Sequence, residues 1–199
     1  MILAACGNAE QEQKSTVQER KSSVKLVEHN LYDNKVMLKL PAKYERFNAQ
    51  ELAIVSEKQD ESSFINQIFD PVRLQSRAKD NYSTYFFIDT SNYRDFIEFT
   101  RLDKHTIVSK EAASYIGGLF KENLEDLMPN AAIVGKSAKF GKSNNFSYGY
   151  YKFTSKTPEL ELHSNHYAFS SASNSYVVLN LSDSDTDLSE LKNQIPYNE

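Results

Sequence analysis

Hydrophobic positions change their period several times along this chain, and each change marks an element. Residues 8–23 are almost wholly Gln, Glu, Lys, Ser and other polar types, with Val17 the one large aliphatic; such a stretch buries too little surface to offset its ordering entropy and reads as a flexible tether. From Val24 the pattern turns to strand. Leu26 and Leu31-Tyr32 precede Asp33-Asn34, after which Val36, Leu38 and Leu40 alternate up to Pro41, predicting two half-buried strands joined at an Asp-Asn turn. Asn48 with Glu51 three residues on forms a capping box, and Phe47 before it can staple onto Leu52, so a helix is expected over about 49–58. Phe64, Ile65, Ile68 and Phe69, ended by Asp70-Pro71, predict a loop or short helical turn, and Tyr82 to Asp89 is dense enough in β-formers for a central strand, with Phe96 to Leu102 continuing it.

Ser109 opens the main helix. Ala112, Ala113, Ile116, Phe120, Leu124 and Leu127 recur at three- and four-residue spacing until Pro129, while Lys121, Glu122, Glu125 and Asp126 lie largely off that stripe. Gly117-Gly118 inside a helix is unfavourable by about 1 kcal/mol each relative to Ala, which implies close approach to a sheet. Strands are then expected over Ala131 to Phe140, Phe146 to Thr154, Glu159 to Phe169 and Tyr176 to Leu181, separated by turn-rich segments, and a terminal helix from about Asp185 to Gln194 with Leu188, Leu191 and Ile195 inward. Strands arriving in a run give an antiparallel sheet. The expected fold is α+β: an antiparallel meander packed with helices, as one domain over residues 24–199.

This element order, with Val36-Met37-Leu38-Lys39-Leu40-Pro41 near the start and Tyr176-Val177-Val178-Leu179-Asn180-Leu181 running into a terminal helix, resembles the PsbP/Mog-like fold, a group that includes small bacterial lipoproteins. The resemblance implies a layered sandwich whose members bind partners more often than they catalyse. A second resemblance sits at the start. Leu3-Ala4-Ala5-Cys6 is similar to the lipobox of bacterial lipoproteins, and only Met1 and Ile2 precede it, so residues 1–5 are expected to be the remnant of a signal peptide whose charged and apolar regions lie upstream. The resemblance implies cleavage before Cys6, lipidation of Cys6 with diacylglycerol and a palmitate-like amide chain, and residues 6–23 as anchor and tether. Each buried lipid methylene contributes about 0.8 kcal/mol, and one chain alone holds marginally. Gly7 rather than Asp after the cysteine implies sorting to the outer membrane, facing the periplasm.

Charge and composition narrow the partners. With a net charge of −4 and no clustered basic stripe, the chain lacks the footprint that nucleic-acid binding needs. Cys6 is the sole cysteine, which leaves no intrachain disulfide and no cysteine-based metal cage. Gly135-Lys136-Ser137 and Gly141-Lys142-Ser143 contain fragments of a phosphate-binding loop, but five residues rather than four separate Gly135 from Gly141, and no helix pattern follows; no nucleotide is expected. Asp183, Asp185 and Asp187 alternate as in a calcium loop, but Leu188 and Gln194 stand where Gly and Glu belong, and the acids fit better at the start of a helix. His163 and His166, three apart on a strand, point to opposite faces and do not make a metal pair. No Gly-x-Ser-x-Gly elbow occurs. No cofactor or metal is expected.

Tyr148, Tyr150 and Tyr151 fall on both faces of one strand and Tyr167 on the next. One face of these is core; the other is a candidate partner-binding surface, since aromatic residues are enriched at interfaces. Two function classes follow. The first is a non-catalytic, envelope-anchored protein-binding module, such as an immunity or accessory lipoprotein; the alternative is a periplasmic hydrolase with a site assembled from distant residues.

Overall fold

The computed structural model describes residues 25–32, 36–59, 66, 69, 74, 83–143, 146–171, 173–185 and 191–194. The lipobox and Cys6, the tether, the Asp33-Asn34 turn, Phe64, Ile65 and Ile68, Tyr82, Asp187, Leu188 and Ile195 lie outside the described residues.

Alternation builds the first element pair. In β1 (Leu26–Leu31) and β2 (Val36–Pro41), paired antiparallel, Val36, Leu38 and Leu40 are buried while Met37 and Lys39 face outward. The pair forms its own two-stranded sheet and lies over a seven-stranded one. That larger sheet begins with β3 (Tyr44–Asn48), a short edge strand absent from the sequence-based expectation because three of its five positions are exposed. Helix α1 (Ala49–Glu57) follows directly. Asn48 Oδ1 accepts from the Glu51 amide at 2.9 Å and the Glu51 carboxylate accepts from the Asn48 amide at 2.7 Å, the expected capping box, and Phe47 packs against the cluster that holds Leu52.

Then come β4 (Ser83–Asp89), β5 (Phe96–Arg101), the long helix α2 (Lys110–Leu127), and β6 (Ala132–Ser143), β7 (Phe146–Lys156), β8 (Glu161–Ser170) and β9 (Ser175–Ser182). The sheet order is β3-β4-β5-β9-β8-β7-β6, every pairing antiparallel. The four last strands form the expected meander, and its closing strand β9 docks on β5, so the early and late halves of the chain meet in mid-sheet. The mixed α+β class follows as expected. A short helix, α3 (Leu191–Gln194), lies against β2, with Leu191 buried and the Gln194 side chain accepting from the Lys39 amide at 2.6 Å. Asp185 pairs with Lys152 and Asp183 accepts from the Asn92 side chain at 3.0 Å; residues 186–190, over which the expected helix would begin, lie outside the described residues.

Because side chains alternate along strands, the large sheet has two inner faces. The hairpin face joins Leu31, Val36, Leu38 and Leu40 to Phe87, Phe99, Phe169, Tyr176 and Val178. On the helix face, α1 covers Phe86 and Ile88 with Phe69 and Leu74 beside it, while α2 covers β7 and β8. Helix α2 starts at Ser109, whose hydroxyl accepts from the Ala112 amide at 3.1 Å. A Cβ on Gly117 would lie 2.3 Å from the Tyr151 ring, and one on Gly149 of β7 would lie 2.8 Å from Ala113 Cβ; these two glycines let helix and sheet meet. Gly118 has nothing within 4 Å of a built Cβ, so close approach explains the first glycine of the pair and not the second.

Candidate functional site

The helix face is not filled from edge to edge. Between α2 and strands β5, β9 and β8 lies a recess of about 290 Å³. Its floor is Phe96, Glu98 and Thr100 from β5, Val177, Leu179 and Leu181 from β9, and Ser164 and His166 from β8; Phe120, Asn123 and Leu124 of α2 form its wall and Leu102 closes one end. Most of these groups are apolar, with a few polar ones converging, as small-molecule sites commonly are. Glu98 Oε1 accepts from the Thr100 hydroxyl at 3.3 Å.

Ser164 and His166 sit two apart on β8, hence on one side of the strand, and are 0% and 4% exposed. Ser164 Oγ and His166 Nε2 share a hydrogen bond whose donor depends on the imidazole tautomer. Phe120 stacks on the imidazole at 4.3 Å and Phe153 meets it edge-on at 5.7 Å. Desolvation in this aromatic surround pulls the His166 pKa down to about 3, so the ring is neutral at any physiological pH. Its Nδ1 has no hydrogen-bond partner; among the described residues, buried Ser155 Oγ, His29 Nε2 and His163 Nδ1 share that condition. A serine beside an imidazole is the skeleton of a nucleophile and its base, but a base is useful near the operating pH, and here no acceptor orients Nδ1.

The sequence-based reasoning compared His163 with His166 and missed the partner two residues away. Period two on β8 was the available signal. His163 lies on the other side of the strand, 3.6 Å from Glu161. Gly135 sits at a register shift within β6, and Gly141-Lys142-Ser143 ends that strand, so neither Gly-Lys-Ser triplet opens a helix. Among the described residues no group of three His, Cys, Asp or Glu side chains could hold a metal ion, and no helix is long and apolar enough to cross a membrane.

The four tyrosines named above do not form one surface. Tyr167 is 2% exposed, stacked on Tyr150 at 4.6 Å and on Phe169 at 5.4 Å, and belongs to the core rather than to a docking face. Tyr151 lies on the helix face against Gly117, where burial raises its pKa and a hydrogen bond with Ser114 opposes the rise. Tyr148 and Tyr150 share the hairpin face, partly buried and packed on its cluster. The Tyr150 hydroxyl donates to Asn165 Oδ1 at 2.9 Å, the Asn165 amide donates to Asn180 Oδ1 at 3.0 Å, and the Asn180 amide donates to the Phe96 carbonyl at 3.0 Å.

A second polar cluster ties β3 to the β4–β5 turn. Asp95, 1% exposed, accepts from the Tyr44 hydroxyl at 2.8 Å and pairs with Lys43, which also lies 3.6 Å from Asp89. Burial pulls the Lys43 pKa down, but the hydrogen bond and charge of Asp95 outweigh it and leave it raised. The Asp89 carboxyl is penalised by desolvation and held below its ordinary value by hydrogen bonds from Ser91 and by Lys43. Each charge here has an opposite partner, which is what a structural clasp requires. Compared with known proteins, the chain matches no family model and no curated protein.

Proposed function

We propose that this chain is a lipid-anchored protein of the bacterial cell envelope, held through Cys6 at the outer membrane facing the periplasm, and that its domain works by binding another protein rather than by catalysis. The order of elements, a hairpin laid on an antiparallel sheet with helices on the other face, is consistent with a PsbP/Mog-like layered sandwich, and an immunity or accessory role fits a tethered domain of this kind. The observation that carries the non-catalytic reading is His166: the imidazole that sits beside a hydroxyl in the recess has its pKa lowered to about 3 by burial. Of the tyrosine set, Tyr148 and Tyr150 are the two that can meet a partner together, since they share one face and are only partly buried.

The second reading, a hydrolase with Ser164 as nucleophile and His166 as base, is favoured by their hydrogen bond alone. One experiment separates them. In cells making the chain behind a lipoprotein signal peptide, a photo-crosslinker at Tyr148 is expected to give a specific protein adduct that Tyr150→Ala weakens, while a fluorophosphonate probe leaves Ser164 unlabelled. Labelling that disappears in Ser164→Ala replaces binding with hydrolysis. A palmitate analogue marks the wild type and not Cys6→Ser if the anchor is as proposed; an unlabelled wild type ends that part of the proposal.

A further inference from the structure

We propose that the recess between α2 and the sheet is a binding site for a small, uncharged, largely apolar molecule bearing one hydrogen-bonding group, such as a carbonyl, hydroxyl or ring N–H, that meets the Ser164–His166 pair. This goes beyond a protein partner on the tyrosine face and stands on different residues.

Size comes first. At about 290 Å³ the recess lies at the lower edge of the roughly 300–1,000 Å³ of small-molecule sites. Lining chemistry comes next: Phe120, Leu124, Val177 and Leu179 supply apolar lining, and no Lys or Arg is among the described residues that line it. Glu98 faces the same space, so an anionic head would come close to a carboxylate. The polar feature is built rather than incidental. His166 lines the recess, is 4% exposed, and its Nδ1 has no hydrogen-bond partner, so the lining holds a polar atom that no described protein group satisfies. A buried polar atom left so is unfavourable by about 1–3 kcal/mol, and its retention fits a group whose use comes with a ligand. Because the imidazole is uncharged and ringed by Phe120 and Phe153, what matches it is a dipole on an apolar body, not an ion.

The test uses the whole chain and two probes that share a skeleton, neutral N-phenyl-1-naphthylamine and its anionic 8-sulfonate. The neutral probe is expected to bind saturably with a blue-shifted emission and to move the His166 ring resonances in an NMR titration, and the sulfonate to bind at least tenfold more weakly. Leu179→Trp, which fills the recess from the floor, removes the saturable signal while the melting temperature stays within a few degrees; Val177→Phe does the same job should the first variant fail to fold. Equal binding of both probes, unchanged His166 resonances at saturation, or undiminished binding to a folded recess-filled variant each overturns the site. Such a failure leaves the crosslink at Tyr148 untouched, so the two proposals fall separately.

Discussion

The two faces of the large sheet are built to different specifications. On the hairpin face, rings interlock: Tyr32 lies 5.2 Å from Tyr85 and 5.9 Å from Tyr176, Phe146 meets Phe169 at 5.9 Å, and Tyr150, Asn165 and Asn180 pass a chain of hydrogen bonds to the Phe96 carbonyl. On the helix face one cluster runs from Leu52 of α1 through Phe69 and Phe96 to Leu124 of α2 and Phe153 of β7, a smaller one gathers Val108, Ala113 and Ala168, and a recess remains between α2 and strands β5, β8 and β9. The hairpin face is packed through one aromatic cluster with Tyr148 and Tyr150 partly buried against it, whereas α2 leaves a recess over β5, β8 and β9. The difference teaches where stability and binding are separated: close packing on one side frees the other to keep an open recess.

The largest effect expected is therefore on the hairpin face. Phe169 is 0% exposed and stacks on Tyr167, so Phe169→Ala should lower unfolding free energy by about 3–5 kcal/mol in urea titration, against less than about 1.5 kcal/mol for Leu179→Met in the recess floor, a volume-conserving change. Similar losses at both positions would break the distinction.

Acid sharpens it. The folded-state pKa of His166, about 3, lies below its ordinary 6.5, so between these values the unfolded chain holds a proton that the folded chain refuses. Stability present above pH 6.5 should fall as the pH drops through that window, with a limiting slope of about 1.4 kcal/mol per unit. Asp89 is also held low, but its loss begins only near its ordinary 3.8. His29 on the hairpin has a pKa lowered by partial burial and the Arg46 charge, giving the same sign. Chemical denaturation from pH 7 to pH 4 should show a flatter profile for His166→Phe than for His29→Phe; the reverse order would move the acid-sensitive group to the hairpin face.

The smallest test lies along the seam. Gly117→Ala pushes a methyl toward the Tyr151 ring and should destabilise by about 1–2 kcal/mol, an effect that shrinks in a Tyr151→Ala background. Gly118→Ala meets open space and should stabilise by about 0.5–1 kcal/mol through helix propensity alone. Thermal melts of the two single variants moving in the same direction would mean that α2 does not seat on β7 as described.

What the sequence determined by itself is local. The Asn48–Glu51 box, the Ser109 cap, the alternation in β2 and the run of meander strands were legible because each depends on residues within a few positions of one another. The exposed edge strand β3 was not, since Glu45 and Arg46 carry no strand signature without the β4 partner they pair with. Only the tertiary structure decided which tyrosines are core: period two separates Tyr150 from Tyr151 but does not say that Tyr167 is sealed beneath the aromatic cluster or that Tyr151 seats a helix. The recess was likewise invisible, because β5, β8, β9 and α2 contribute to it from positions 96 to 181. Periodicity encodes which side of an element turns inward; how far apart two inward-facing elements come to rest depends on the packing of everything else around them.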